Sequence, residues 1–124
     1  MRETEARRLP EAEERVMQAL WACAAPAGRQ EIEAHLSGSM APTTVLTLLS
    51  RLTERGCVRA EKRGRQSLYT PTLSKGDYLA SQSRRLFDRL CGGSVSEFAA
   101  ALVDGGLTKD ELRELRALLE EAET

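Results

Sequence analysis

Side chains able to make and break covalent bonds are scarce and scattered in this sequence of 124 residues. His35 is the single histidine, and the cysteines Cys23, Cys57 and Cys91 stand far apart, in no CxxC or Cys/His cluster. A nucleophile needs a base within hydrogen-bond reach and a structural zinc needs clustered ligands. The inventory therefore points away from an enzyme and a metal centre, with no cofactor expected and the thiols read as free, in a reducing compartment. What the sequence does concentrate is hydroxyls and cations. Thr43, Thr44 and Thr47 lie just ahead of Arg51, and Lys62, Arg63 and Arg65 follow as a cluster. Guanidinium and ammonium groups neutralise phosphate, while threonine offers a hydroxyl to phosphates or base edges and a methyl to thymine. The chemistry in prospect is recognition of a polyanion.

Global charge conceals this, because the formal net charge is only -1. Residues 40–73 hold six basic and two acidic side chains, against five and seven in residues 1–39 and seven and ten in residues 74–124. One cationic stretch thus sits inside an acidic chain. No apolar run approaches the roughly 18 to 20 residues of a membrane span, and the opening residues are charged, unlike a signal sequence. The expectation is a cytoplasmic protein with no membrane insertion.

The elements that must position these side chains follow from periodicity. A helix is predicted over about 10–23, with Pro10 at its first position, acidic Glu11, Glu13 and Glu14 in its first turn and an apolar stripe through Val16 and Leu20. A break at 26–28 precedes a short helix over about 29–37, with Ile32, Leu36 and His35 toward its buried side, stopped by Gly38. A third helix begins at Pro42 and ends before Gly56. Its Val45, Leu48, Leu49 and Leu52 share one face, leaving Thr43, Thr47, Ser50 and Glu54 opposite, with Thr44 and Arg51 on the flank. Residues 57–62 and 66–70 then alternate around Arg63-Gly64-Arg65, which reads as a β-hairpin with a basic tip.

From Ser74 the pattern is helical again, in three segments separated by Gly92-Gly93 and Gly105-Gly106. Ser74 and Ser94 are suited to cap the first two, and Thr108 with Glu111 forms a capping box for the third. The division expected is a DNA-binding domain over 1–73 and a helical dimerisation region over 74–124. Three short helices bury little alone, so Leu86, Leu90, Phe98, Leu102, Leu112, Leu115 and Leu119 are assigned to a homodimer interface.

Three helices and a hairpin, cationic only on the third helix and the hairpin tip, are the pattern of a winged helix-turn-helix. The fold class expected is mainly α with a small β-hairpin wing, plus a C-terminal helical region. The runs Ala12-Glu13-Glu14-Arg15-Val16-Met17 with Leu20-Trp21, Thr44 to Leu52 with Gly56, Lys62-Arg63-Gly64-Arg65, Tyr69-Thr70-Pro71 and Gly92-Gly93-Ser94 resemble the penicillinase-repressor family over about residues 9–120. The resemblance implies a homodimeric transcriptional repressor on a palindromic double-stranded DNA operator. Carried over residue by residue, it implies DNA contacts from Thr43, Thr44, Thr47, Arg51 and Arg65, with Lys62 and Arg63 as phosphate neighbours. In the best-known relatives a membrane sensor triggers proteolysis, and the corresponding bond here is Ala101-Leu102, which lacks the family's Asn-Phe pair. The cysteine-rich tail of copper-responsive relatives is also absent from 118–124.

Blander readings stand beside these. The threonines can cap or back-bond to their own helix, Arg51 can pair with Glu54, and Cys57 is first a small buried hydrophobe, where a redox switch is the sharper alternative. Cys91 offers an intersubunit disulfide only weakly. Trp21 belongs to the core, its indole N–H needing one acceptor. Two other functions fit the fold: a winged-helix adaptor that binds a protein partner, and a ligand-sensing regulator. An adaptor has no need of a cationic stretch confined to one helix and a wing tip.

Overall fold

The structure is a computed structural model and describes residues 8–124. These form two compact units, the first ending at Ser83 and the second beginning at Arg84. The first contains α1 (Glu11–Trp21), β1 (Ala27–Gly28), α2 (Arg29–Ala34), α3 (Pro42–Glu54), β2 (Val58–Arg63), β3 (Gln66–Pro71) and the opening turns of α4 (Lys75–Arg89). The second contains the end of α4, then α5 (Val95–Asp104) and α6 (Lys109–Glu123). The mainly helical winged helix-turn-helix expected from the sequence is present, with one strand more than the hairpin alone would give.

That strand is β1, in the segment read from sequence as a plain break. It pairs antiparallel with β3, Ala27 opposite Tyr69 and Gly28 opposite Leu68, so the sheet order is β1-β3-β2. Two residues are too few to show alternation. Their pairing satisfies backbone groups that burial would otherwise strand, since both Ala27 and Gly28 are buried.

Helix boundaries follow local chemistry. Pro42 opens α3 at a position whose N–H has no helical partner, and Gly56, at φ 81°, takes the chain out of it. The buried face of α3 carries Val45, Leu48, Leu49 and Leu52. They meet Val16, Met17 and Leu20 of α1, Ile32 of α2, and Val58, Tyr69 and Leu73 in one core. Truncating one such leucine to alanine costs about 3 kcal/mol, so this face holds the orientation of α3 firmly. Trp21 finds its acceptor in the Leu73 carbonyl at 2.9 Å.

Two expectations are corrected. His35 is exposed at the C-terminal end of α2, while Leu36 takes the buried position beside it. Tyr78, read from sequence as part of the C-terminal apolar stripe, is only 2% exposed and belongs to the core of the first unit. Its hydroxyl accepts from Leu9 N at 3.0 Å and donates to Glu14 Oε2 at 2.5 Å.

In the second unit the caps are as the sequence indicates. Ser94 accepts from Glu97 N, and Thr108 and Glu111 form the reciprocal capping box. Phe87 and Phe98 meet edge to face with ring centroids 5.7 Å apart, and Arg84 lies 5.2 Å over the Phe87 ring. No residue from 84 to 124 is buried.

Candidate functional site

Packing α3 through Val45, Leu48, Leu49 and Leu52 forces its other side outward. Thr43, Thr44, Thr47, Ser50 and Arg51 are all exposed, as are Lys62, Arg63 and Arg65 on the wing. Gly64, at φ 64°, makes the tight turn that the hairpin requires, with Arg63 paired to Gln66 across it and Arg65 in the turn itself. Arg63 Nη2 lies 3.2 Å from Glu61 Oε1, an exposed pair of little energetic weight. Among the described residues, Arg51, Lys62 and Arg65 have no acidic partner, so their charges remain available to an external anion.

Thr47 realises part of the bland alternative. Its hydroxyl donates to the Thr43 carbonyl at 3.0 Å, which occupies the proton and leaves the oxygen's lone pairs and the methyl group to face outward. Thr43 and Thr44 stand in the first turn of α3, where no acidic residue opposes an approaching anion.

A cleft of about 330 Å³ lies alongside these residues, lined by Arg29, Gln30, Leu46, Arg65, Gln66 and Tyr69, among others. It joins the start of α2, the outer side of α3 and the wing. Leu46 is 42% exposed there, an apolar group on an otherwise polar surface. Arg29, Gln30 and Gln66 were not singled out from sequence. The available signal was the placement of Arg29 and Gln30 at the start of the helix preceding α3, and the position of Gln66 just past the basic turn. Arg29 is not wholly free, since Nη1 lies 2.5 Å from Glu33 Oε2.

At the junction of α3 and the wing, Cys57 is fully buried and burial pushes its thiol pKa up, which keeps it protonated and unreactive. Neighbouring Arg55 is held in its charged form chiefly by its hydrogen bond to Glu13. Cys23 is half-buried and raised by burial as well, with the Glu31 carboxylate adding to the effect.

The residues assigned to self-association lie in the second unit. Leu86, Leu90 and Leu119 are exposed, and Phe98, Leu102, Leu112 and Leu115 half-buried. An open apolar groove of about 580 Å³ is lined by Leu86, Leu90, Cys91, Phe98, Ala101 and Leu102, among others. The bond between Ala101 and Leu102 lies within α5. Among the described residues no helix is long and apolar enough to cross a membrane.

Similarity to known proteins runs along nearly the whole chain. The chain is 28% identical over 115 residues to the penicillinase repressor of Bacillus licheniformis, covering 91% of this chain and 90% of that protein. An uncharacterised 16.5 kDa protein of Latilactobacillus sakei is 33% identical over 78 residues, which are 62% of this chain and about half (53%) of that protein. The solution structure of the DNA-binding domain of the repressor BlaI superposes with a TM-score of 0.50 at 29% identity, covering 59% of this chain and 90% of the domain. The family model for the penicillinase repressor matches residues 9–121. The chain belongs to the penicillinase repressor family, a family of repressors rather than enzymes.

Proposed function

We propose that this protein is a DNA-binding transcriptional repressor that acts in the cytoplasm as a homodimer on a palindromic operator. The observation that carries the reading is the continuity of α3 and the wing. A helix whose outer side is threonine and arginine stands in the same unit as a basic hairpin, and both are held by one core. The helix has the size and polarity to enter the major groove, and the wing reaches the backbone beside it. In this reading Thr43, Thr44 and Thr47 face base edges or nearby phosphates, and Arg51, Lys62, Arg63 and Arg65 neutralise the backbone. The repressor identity of the Bacillus relative and the DNA-binding role of the similar BlaI domain support it.

Self-association is supported by the second unit. Its helices leave no residue fully buried, and Leu86, Leu90, Val95, Val103, Leu118 and Leu119 are left in solvent. A second copy covers such a surface with the least new chemistry and supplies the two-fold axis that a palindrome requires. The domain over 1–73 then reads DNA and the region over 74–124 dimerises. Relief by a membrane sensor's proteolysis at Ala101-Leu102 is compatible only if α5 opens locally, because a protease takes an extended segment and this bond is helical.

The direct test is selection of random-sequence duplexes by the full-length protein, followed by mobility shift. A two-fold symmetric consensus bound by a dimer supports the reading. Enrichment of no sequence opposes it.

A further inference from the structure

The Gln66 side chain lies close against Gly28, so that a side chain at position 28 would press on it. A Cβ placed on Gly28 would lie 3.0 Å from Gln66 Nε2 and 3.8 Å from Gln66 Cδ. The backbone itself makes no demand for glycine there, since Gly28 is extended at φ -85° and ψ 168°. A side chain there would instead displace the Gln66 carboxamide by a few tenths of an ångström. The platform is fixed from two directions: Gly28 N donates to Glu31 Oε1 at 3.0 Å, and Gly28 pairs with Leu68 across the sheet.

Gln66 opens β3 next to Arg65, and both line the cleft that also contains Arg29 and Leu46. The Arg65 guanidinium has no acidic partner among the described residues. A neutral donor lining the same cleft as an unpaired guanidinium suits an anion with several acceptor oxygens, the cation meeting its charge and the amide a further lone pair.

We propose that Gln66 is a further operator contact, a donor to a backbone phosphate oxygen that is held in place by the bare backbone of Gly28. This rests on the DNA-binding reading above. Arg65 supplies the charge and Gln66 the second hydrogen bond, so the two side chains differ in how they respond to salt.

The experiment uses the full-length protein and duplexes recovered by the wild type from a random-sequence pool, with mobility shifts over a salt series and thermal melts of each variant. Gln66→Ala weakens binding about fivefold on every recovered duplex. Its salt slope stays that of the wild type, because a neutral amide displaces no counterion. Gln66→Glu, equal in shape but anionic, weakens binding by about tenfold or more. Gly28→Ala weakens it several-fold, and the Gly28→Ala/Gln66→Ala double variant is no weaker than Gln66→Ala alone. Wild-type binding by both Gln66 variants would overturn the proposal, leaving the DNA-binding reading intact. Additive losses in the double variant would overturn the positioning by Gly28, and a loss confined to particular base pairs would overturn the phosphate assignment. If the wild type itself retains no duplex, the DNA-binding reading fails and this proposal with it.

Discussion

Arg55 Nε lies 2.5 Å from Glu13 Oε1, with Nη2 3.4 Å from Oε2, so the residue that follows the last turn of α3 is clasped to the first turn of α1. Glu13 is 2% exposed and Arg55 remains partly open to water. Removing the guanidinium strands a buried carboxylate without its partner, and breaking such a pair is costly even where the intact pair contributes little. Arg55→Ala is expected to lower stability by about 2 kcal/mol, seen as a fall in Tm of about 10 °C by calorimetry or circular dichroism. An unchanged melt would show that the clasp does not hold α3.

The back-bond from Thr47 to the Thr43 carbonyl sets what Thr47 can read. With its proton engaged, it can accept from an adenine or cytosine amino group or press its methyl on thymine. Thr47→Val keeps the methyl and Thr47→Ser keeps the oxygen. Selection of duplexes by each variant should therefore separate the two, with preference changing by about 1 kcal/mol at one base pair of the half-site. A uniform loss across all sequences, with no change in preference, would remove Thr47 from base recognition.

Much of this arrangement is legible in the sequence, and the failures share a physical cause. The caps and stops are local, so Pro42, Gly56, Gly64, Ser94 and the Thr108–Glu111 box could be read directly, and the outward side of α3 followed from periodicity. The remainder depends on residues far apart in the chain. Glu13 looked like one of three acids at a helix start, and only Arg55, 42 residues away, explains its burial. Tyr78 fitted a C-terminal stripe until Leu9 and Glu14 claimed its hydroxyl. β1 has two residues and no period to read. Gln66 enters the candidate site through a glycine on another strand, which spacing along the chain does not reveal.

The Tyr78 network makes alkaline stability a specific test. Burial, together with the hydrogen bond to Glu14, raises the Tyr78 pKa from 10.0 to about 12. Between those values the unfolded chain releases the phenolic proton and the folded chain keeps it, so stability falls as pH rises. The contribution is fully present below about pH 10 and lost as pH passes about 12. Tyr78→Phe should be less stable at neutral pH, having lost both hydrogen bonds, and should show a shallower decline over that window in urea melts. Parallel profiles for the two proteins would contradict the assignment.

Self-association through the second unit predicts that a charge in its apolar groove separates the subunits. Leu90→Asp, at a side chain 63% exposed and therefore tolerant in the isolated chain, should convert a dimer to a monomer in sedimentation velocity. The first unit's melt should be retained, since none of its core lies beyond Tyr78. Loss of one half of a two-site contact should lower operator affinity by about a hundredfold. A Leu90→Asp protein that sediments as the wild type does would place the interface elsewhere.

In the proposed function, α3 and the wing together bind a symmetric DNA site. Footprinting of the full-length protein on a selected duplex, with mobility shifts over a salt series for wild type and Arg65→Ala, tests it most directly. Two protected half-sites related by a two-fold axis and spaced by about one helical turn or a small multiple of it are expected. Binding should weaken steeply with salt, with a slope smaller by about one unit in Arg65→Ala. Binding abolished by nonspecific competitor with no protected site, or an Arg65→Ala slope equal to that of the wild type, would contradict it.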